Sequence, residues 1–445
     1  MKRVFLETYG CQMNVADSEL MAGVLERAGM ELVDTPADAD AVILNTCAIR
    51  EHAELRVLGR LGEFAHLKLA KPDLIVGVAG CMAQHLRSKL IDRKKRVLDL
   101  VVGPDGYRDL PNLLRQAANV PTAEIRLDRD ETYGDLEPKR APGVRAWVSV
   151  QRGCDKFCTY CVVPYTRGRE RSLPLADLLR QVETAAAQGF CEIVFLGQTV
   201  NSYREGEHDF ADLLRATNTI AGVKRIRYTS PHPSDLNDRL IAAMADCEKV
   251  MPHMHLPLQS ASDPILAAMN RSYTLAQYDA KLTQLRAAIP GIAVTTDMIV
   301  GFPGETEEDF QRSLEYMSRV QFDSAFLFKY SARPDTKAYK IPETVTEAEK
   351  GRRLTIMIDR QHLTSGAQND KWVGREAEVL IEGLSHRDEA QLYGKSREFK
   401  TVVLANDGSA PGTLKRVRIT GATTVTLFAE AIGVPRAEPL VQLLG

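Results

Sequence analysis

The sequence predicts an α/β protein built from three parts, and three changes of pattern along the chain predict them. Over residues 1–119, short apolar runs alternate with helix-compatible segments, which indicates an open parallel α/β domain. The alternation resumes at residue 146 and repeats six times, which indicates a partial (β/α)6 barrel. From residue 372 to residue 435, short strands with glycine turns predict a small antiparallel β-barrel.

In the N-terminal part, each predicted strand is closely followed by a cysteine. The three runs and their cysteines are Arg3–Thr8 with Cys11, Ala41–Thr46 with Cys47, and Leu74–Ala79 with Cys81. Ligands of an open parallel sheet gather at the carboxyl ends of its strands. We therefore expect these three thiols to converge on one point, the alternative being three unrelated buried thiols.

Residues 120–145 are rich in proline and charge and have no sustained period, which predicts a linker. Six strand–helix units then follow over residues 146–371, too few to close an eight-fold barrel, so we expect one open side. The last helix of this part is expected at Val345–Lys371. The six strands are expected at Ala146–Gln151, Glu192–Leu196, Arg225–Thr229, His253–Leu258, Ile292–Val300 and Ser324–Phe328.

The C-terminal strands are expected at Glu376–Glu382, Gln391–Tyr393, Lys400–Leu404, Arg416–Ile419 and Thr424–Ala429. Between Lys395 and Arg418 there are six basic residues against two acidic ones. One face of this barrel therefore either meets phosphates or is an ordinary solvated charged face.

Three further cysteines, Cys154, Cys158 and Cys161, lie just beyond the first strand of the central barrel, where barrel enzymes keep their active sites. No fourth cysteine follows them, so a four-iron, four-sulfur cluster on this triad would have one iron without a protein ligand. An open iron can bind a substrate or cofactor, which favours chemistry over scaffolding. The alternative is a zinc site completed by a distant histidine, although zinc motifs usually come as two spaced pairs.

The composition narrows the class of protein. The chain is 44% hydrophobic and 26% charged, with a net charge of −2, so any nucleic-acid surface must be local. The start has no apolar stretch long enough for a signal peptide, and no run approaches the roughly 18 apolar residues of a membrane span. We expect a cytoplasmic protein without a membrane partner, whose eight cysteines are ligands or free thiols.

The cysteine motifs resemble those of a known family. The C-x3-C-x-Φ-C run ending at Cys161 resembles the signature of radical S-adenosylmethionine (SAM) enzymes. The segments Thr8–Asn14, Asn45–Glu51 and Gly80–Gln84 resemble the cysteine motifs of the methylthiotransferases, radical SAM enzymes with a second, auxiliary cluster and a C-terminal TRAM domain.

Within that family the chain is most similar to the MiaB branch. The resemblance is carried by the segments Arg152–Glu170, Leu196–Tyr203, His255–Ser260 and Asp297–Thr306. The chain departs from the branch at Asp155-Lys156, at Ala261 and at Asp335, none of which is a cysteine.

The resemblance implies a reaction. The enzyme would convert N6-dimethylallyladenosine next to the anticodon of tRNA, at position 37, to its 2-methylthio derivative. One SAM would methylate the sulfur and another would yield the radical. Two alternatives remain: a sister methylthiotransferase acting on threonylcarbamoyl-adenosine or on a ribosomal protein aspartate, and a non-enzymatic iron–sulfur protein that binds RNA or transfers electrons.

The resemblance also implies cofactors and partners. Two 4Fe-4S clusters would be held by the two cysteine triads, with Cys154, Cys158 and Cys161 binding the cluster that holds SAM. The implied partners are the tRNA anticodon stem-loop, SAM and an electron donor such as flavodoxin or ferredoxin. The expected SAM contacts are Tyr160, Gln198, Gly301 and Gly304.

Other polar residues invite two interpretations. Arg167, Arg169 and Arg171 either bind the SAM carboxylate or RNA phosphate, or form a salt-bridge network at the surface. His253 and His255 share one face of a strand and need no metal. If both clusters act on one base, they must face a single cavity at the junction of the first two domains.

Overall fold

The computed structural model describes residues 2–47, 51–86, 97–385 and 387–432. Residues 433–435, the end of the predicted C-terminal barrel, lie outside the described residues. The first domain is built on a six-stranded parallel sheet with the order β2-β1-β3-β4-β5-β6. Its strands are β1 (Arg3–Tyr9), β2 (Glu31–Leu32), β3 (Ala41–Thr46), β4 (Ile75–Gly80), β5 (Leu100–Val102) and β6 (Thr122–Glu124).

Helices cover both faces of this sheet. They are α1 (Gln12–Arg27), α2 (Glu51–Ala70), α3 (Cys81–Leu86) and α4 (Leu110–Ala117). Successive side chains of a strand point to opposite faces, so Ile43 packs into one apolar core while Val42 and Leu44 pack into the other. Burial on both faces explains the uninterrupted apolar runs in this part of the sequence.

The segment predicted as a linker is partly structured. Strand β6 lies within it and pairs with β5, and Tyr133 is buried against Tyr107 with ring centroids 6.0 Å apart. A three-residue strand is too short to show a period of two, so β6 leaves no signal in the sequence.

The central domain is the expected partial barrel. Two three-stranded parallel sheets, β7-β10-β13 and β14-β15-β16, are joined by an isolated parallel bridge between Ile226 and Val250. The strand predicted at His253–Leu258 ends at His255, and the other five end within two residues of the prediction. The strands of this domain are β7 (Arg145–Ser149), β8 (Gln151–Arg152), β9 (Arg171–Ser172), β10 (Glu192–Leu196), β11 (Arg204–Glu205), β12 (His208–Asp209), β13 (Arg225–Tyr228), β14 (His253–His255), β15 (Ala293–Val300) and β16 (Ser324–Lys329).

The main core of the protein lies between these strands and the surrounding helices. The helices are α5 (Val163–Thr166), α6 (Leu175–Ala187), α7 (Phe210–Asn218), α8 (Asp238–Asp246), α9 (Asp263–Ala268), α10 (Leu275–Ala288), α11 (Glu307–Val320) and α12 (Glu347–Asp370). No helix in the described part of the chain is long and apolar enough to cross a membrane.

The C-terminal domain is a closed five-stranded barrel with the order β17-β18-β19-β21-β20. Its strands are β17 (Glu376–Ser385), β18 (Asp388–Ser396), β19 (Thr401–Ala405), β20 (Leu414–Ala422) and β21 (Thr426–Ala431). It docks on the amino-terminal ends of the central strands, where Arg225 donates to the carbonyl of Lys395 at 2.7 Å and Arg227 donates to the carbonyl of Ser396 at 2.8 Å.

Candidate active site at the domain junction

The register of the first sheet brings three cysteines together. Tyr9 pairs with Thr46, and Thr46 pairs with Gly80 on the next strand. Cys11, Cys47 and Cys81 follow these positions by two, one and one residues. The three thiols therefore leave neighbouring strands at the same edge of the sheet, as the sequence predicts.

Two glycines allow this close approach. Gly10 has a φ of +141°, and a Cβ built there would lie 2.6 Å from Cβ of Cys47. Gly80 has a φ of +92°, and its Cβ would lie 2.6 Å from the carbonyl oxygen of Thr46. Only a residue without a side chain fits at either position, so each glycine lets a cysteine-bearing turn pack against its neighbour.

Two buried asparagines tie the turns together. Asn14 Oδ1 accepts from the backbone N–H of Cys11 at 3.3 Å and from its thiol at 3.4 Å. Asn45 Nδ2 donates to the carbonyl of Asn14 at 2.7 Å and to Oγ of Ser18 at 2.9 Å. These asparagines sit in the motifs noted in the sequence, but the sequence did not show that they fix the cysteine turns.

The thiols of this triad sit in different electrostatic settings. A hydrogen bond from Cys47 lowers the pKa of Cys11 to about 6, with further help from the positive charge of Arg167. Burial raises the pKa of Cys81, and Arg167 opposes that shift by donating from Nε to Sγ at 3.1 Å. Thiolates are the form that binds iron, and this site already supplies positive charge to them.

The second triad lies in the loop after β8. Sγ of Cys154 lies 3.2 Å from Oγ1 of Thr199, and Arg271 Nη1 donates to Sγ of Cys158 at 3.5 Å. Burial raises the pKa of Cys161 to about 12. Among the described residues, no group of three or more His, Cys, Asp or Glu side chains is arranged to hold a single metal ion.

A cavity of about 180 Å³ opens at the carboxyl ends of the central strands, beside this triad. It is lined by Gln198, Ser230, Pro231, His232, His255, Pro257, Gln259, Arg271 and Asp297. Three buried polar atoms on these residues have no hydrogen-bond partner in the described chain: Gln198 Oε1, Gln259 Oε1 and His232 Nε2. Buried polar groups are normally paired, so unpaired ones around one cavity point to a polar ligand.

The state of His232 can be assigned from its surroundings. Burial lowers its pKa to about 2, so the ring is neutral. The backbone N–H of Ser234 donates to Nδ1 at 3.3 Å, which leaves the ring hydrogen on Nε2. The cavity therefore offers one donor from His232 beside two amide acceptors and the guanidinium of Arg271.

The inner face of the barrel continues from this cavity as an aromatic wall. Phe326 and Phe328 on β16 are 56% and 43% exposed, and they pair in register with Asp297 and Ile299 of β15. The ring centroid of Phe326 lies 5.9 Å from that of His255, whose Nε2 lies 3.3 Å from Asp297 Oδ1. Large exposed aromatic side chains on an inner face are available to an apolar ligand.

The segments that carry the two triads come into contact at the domain junction. Cys81 packs against Val162, the residue after Cys161, and both side chains are 3% exposed. Met13 of α1 packs against Val194 and Leu196 of β10, so the N-terminal domain closes one side of the barrel interior. The hypothesis of a shared cavity at this junction remains a prediction, and these contacts support it.

The three arginines after Cys161 lie in ion pairs, but only that of Arg169 is at the surface, where the salt-bridge alternative placed the whole network. Arg167 is 2.6 Å from Asp17, and Arg171 is 3.1 Å from Asp105; all four side chains are buried. Arg169 is exposed and pairs with Asp155 at 2.6 Å.

The four residues that are expected to contact SAM lie in different parts of the central domain. Gln198 lines the cavity, and Tyr160 packs against the apolar cluster of Phe302 and Tyr330. Gly301 and Gly304 lie in the turn after β15, where a Cβ on Gly301 would overlap the side chain of Lys350. The sequence did not predict that three further polar residues line this cavity, because only the barrel brings them to Gln198. These residues are His232, Gln259 and Arg271.

Comparison with known families gives three matches along the chain. Residues 3–103 match "Uncharacterized protein family UPF0004", residues 148–317 match the "Radical SAM superfamily", and residues 370–432 match the "TRAM domain". A tRNA-2-methylthio-N6-dimethylallyladenosine synthase of Porphyromonas gingivalis is 43% identical over 98% of this chain and 96% of that protein. The chain belongs to this enzyme family. A synthase of the same name from Thermoanaerobacter sp. (strain X514) is 44% identical over 97% of this chain and 93% of its own.

Membership makes the protein a radical SAM methylthiotransferase that uses SAM and iron–sulfur chemistry, and it disfavours the sister-enzyme and non-enzymatic alternatives. Solved structures agree at the level of the fold. The radical SAM methyltransferase TsrM from Kitasatospora setae superposes with a TM-score of 0.57 over 76% of this chain and 74% of its own, at 14% identity. The cobalamin-dependent SAM radical enzyme OxsB superposes with a TM-score of 0.54 over 81% of this chain and 56% of its own, at 12% identity.

Proposed function

We propose that this enzyme adds a methylthio group to carbon 2 of N6-dimethylallyladenosine at position 37 of tRNA, using two SAM molecules and two 4Fe-4S clusters. The supporting observation is the contact of Cys81 with Val162, because it brings the two cysteine triads to the same junction. The identity of 43–44% to synthases of that name, over nearly the full length of the chain, supports the choice of substrate. We further propose that the enzyme works in the cytoplasm, where tRNA is found, with flavodoxin or ferredoxin as its reductant.

Cys154, Cys158 and Cys161 would hold the SAM-binding cluster, and the chemistry of three thiols with an arginine donor fits that group. The neighbouring cavity would receive SAM. Its amino group can donate to the unpaired Oε1 atoms of Gln198 and Gln259. His232 Nε2–H and the guanidinium of Arg271 are the donors available to its carboxylate or its ribose hydroxyls.

Cys11, Cys47 and Cys81 would hold the auxiliary cluster, and the thiol–thiol hydrogen bond and the Arg167 donor fit three thiolates around one group. When bound, one cluster would supply the electron that cleaves SAM, and the other would carry the sulfur that is transferred. The protein itself orients both sites: the Asn14–Asn45 pair fixes the first triad, and α1 excludes water from one side of the barrel interior.

The substrate base would enter along Phe326 and Phe328. A flipped adenine can stack on an aromatic side chain, as bases do in proteins that bind single-stranded RNA. The dimethylallyl tail adds five carbons, which at about 0.8 kcal/mol per buried methylene offer roughly 2–4 kcal/mol on this wall. An unmodified adenine lacks that contribution.

The C-terminal barrel would contact tRNA phosphates with fewer basic side chains than its composition indicates. Lys400 pairs with Asp323 of the central domain at 2.7 Å, and Lys395 is largely buried beneath Phe399, which lowers its pKa. Arg416 and Arg418 remain more than half exposed in their side chains, although both lie near Glu376. These two arginines are the best candidates for phosphate contact.

The test is nucleoside analysis of tRNA from a strain that lacks this gene. We expect N6-dimethylallyladenosine to accumulate and its 2-methylthio derivative to return when the gene is restored. Loss of a methylthio derivative of threonylcarbamoyl-adenosine instead would reassign the enzyme to the sister branch. Unchanged tRNA would refute the proposed function.

A further inference from the structure

Arg167 connects the two halves of the proposed active site. It belongs to the central domain, just beyond α5, yet its guanidinium lies in the N-terminal site. Nε donates to Sγ of Cys81 at 3.1 Å, and Nη2 donates to Oδ2 of Asp17 at 2.6 Å. The third nitrogen, Nη1, is buried and has no hydrogen-bond partner among the described residues.

The other triad provides a comparison. Arg271 also donates to a cysteine, Cys158, but all three of its nitrogens are used. Its Nε donates to the hydroxyl of Tyr273 at 2.9 Å, and its Nη2 donates to the carbonyl of Pro257 at 2.9 Å. The free donor on a sulfur-contacting arginine is therefore specific to the N-terminal site. A buried donor without a partner is costly, so it calls for an acceptor that binds there.

The charge of the junction supports the same conclusion. Around Arg167, the buried charged side chains of the described residues are two carboxylates and three guanidiniums, each less than a tenth exposed: Asp17, Asp105, Arg152, Arg167 and Arg171. One positive charge is thus left over before the thiolates are counted. Arg152 and Arg167 share Asp17, since Arg152 Nη1 lies 3.1 Å from Oδ1 of that carboxylate. The surplus charge suits an anionic group at the neighbouring cysteines.

We propose that Arg167 is a positioning residue for the auxiliary cluster, donating through Nε to Cys81 and through Nη1 to a sulfur of the cluster. This inference rests on the proposed function, which assigns a cluster to Cys11, Cys47 and Cys81. Reduction adds negative charge to a cluster, so a cationic donor at its sulfurs stabilises the reduced form and raises the reduction potential. The same guanidinium, anchored by Asp17, also fixes the central domain against the N-terminal site.

The test isolates the auxiliary cluster in the full-length chain. Cys154, Cys158 and Cys161 are replaced by Ala, the protein is reconstituted with iron and sulfide, and the potential is measured by redox titration monitored by electron paramagnetic resonance. Arg167→Gln and Arg167→Lys are compared with Arg152→Gln and Arg152→Lys. The Arg152 variants are matched controls because that side chain is equally buried and shares Asp17, but donates to the carbonyl of Pro104 and to no cysteine sulfur among the described residues.

We expect Arg167→Gln to make one-electron reduction about tenfold less favourable, a fall of about 59 mV. The Arg152 variants should shift the potential by much less. An exchangeable proton coupled to the reduced cluster should disappear in Arg167→Gln and persist in Arg152→Gln. Arg167→Lys retains the positive charge and tests the proposal even if Arg167→Gln does not fold. Its reduction potential should lie between those of Arg167→Gln and the parent protein.

Two outcomes would overturn the proposal, and they are distinguishable. If the parent protein binds iron but the Arg167 and Arg152 variants shift the potential equally, Arg167 has only a structural role and the proposed function stands. If the parent binds no iron at Cys11, Cys47 and Cys81, the auxiliary cluster itself is refuted, and the role of Arg167 falls with it.

Discussion

The ring of Phe399 lies 5.1 Å from the ring of His253. A loop of the C-terminal barrel therefore closes the central barrel at the amino-terminal ends of its strands. Arg227 lies over the same Phe399 ring at 4.8 Å and pairs with Glu192 at 2.9 Å. The C-terminal barrel is therefore part of the wall of the central domain as well as a candidate RNA surface. Removing it would expose Arg225, Arg227 and Glu192, which are buried at present.

This interface predicts that deleting residues 372–445 lowers the stability of the rest of the protein, so deletion is a poor test of RNA binding. Arg416→Gln with Arg418→Gln is the better test. We expect weaker tRNA binding and a smaller slope of log affinity against log salt, by roughly 0.7–0.9 for each phosphate that the protein no longer neutralises. Arg312→Gln, on α11 and paired with Glu308, is the control. Unchanged affinity and slope would make this barrel a structural element.

The two cysteine triads should separate by function. With Cys154, Cys158 and Cys161 replaced by Ala, SAM cleavage should be abolished while about one cluster per chain remains. With Cys11, Cys47 and Cys81 replaced by Ala, the reduced protein should still release 5′-deoxyadenosine but form no methylthio product. Iron analysis and product chromatography measure both outcomes. Radical chemistry in the first variant would refute the assignment.

The aromatic wall predicts how the substrate is chosen. Phe326→Ala and Phe328→Ala should each reduce the preference for tRNA carrying dimethylallyl-adenosine over the same tRNA without it. Removing one aromatic ring that contributes about 1–3 kcal/mol corresponds to roughly 5- to 150-fold in relative kcat/KM. SAM cleavage without tRNA should persist. Leu363→Ala, equally apolar and 72% exposed on α12, is the control; a preference that stays intact in both phenylalanine variants would exclude this wall as the base site.

Glu19 predicts a pH dependence of stability. Burial raises its pKa to about 7 in the folded protein, above its ordinary value of 4.5. In the unfolded chain, Glu19 therefore loses its proton at a lower pH than in the folded protein. The free energy of unfolding then decreases as the pH rises from about 4.5 to about 7. At about 1.36 kcal/mol per pKa unit, the loss is about 3 kcal/mol. Glu19→Gln should remove it.

The measurement is the free energy of unfolding of the cluster-free protein by denaturant at pH 5 and pH 8. The difference between the two pH values should be smaller by about 2.5 kcal/mol in Glu19→Gln than in the unmodified protein, because part of the change lies below pH 5. Glu26→Gln serves as the control, because that carboxylate lies on the same helix, is exposed and pairs with Lys139. An identical pH dependence in all three proteins would show that Glu19 titrates normally.

The sequence by itself determined the three-part α/β fold, the positions of the main strands and the two cysteine triads. Those signals are local. An apolar run shows its period within a few residues, and a cysteine directly after a strand of a parallel sheet must emerge at the sheet edge.

Only the tertiary structure decided which polar groups face these sites. Arg167 meets a cysteine 86 positions away in sequence, and the contact of Arg227 with Ser396 spans 169 positions. Neither partner carries a local pattern that points to the other. A buried charge is tolerated only where a partner compensates its lost hydration, and that partner is fixed by how the domains pack. The sequence therefore predicted the two cysteine triads, and domain packing decided which arginines contact them.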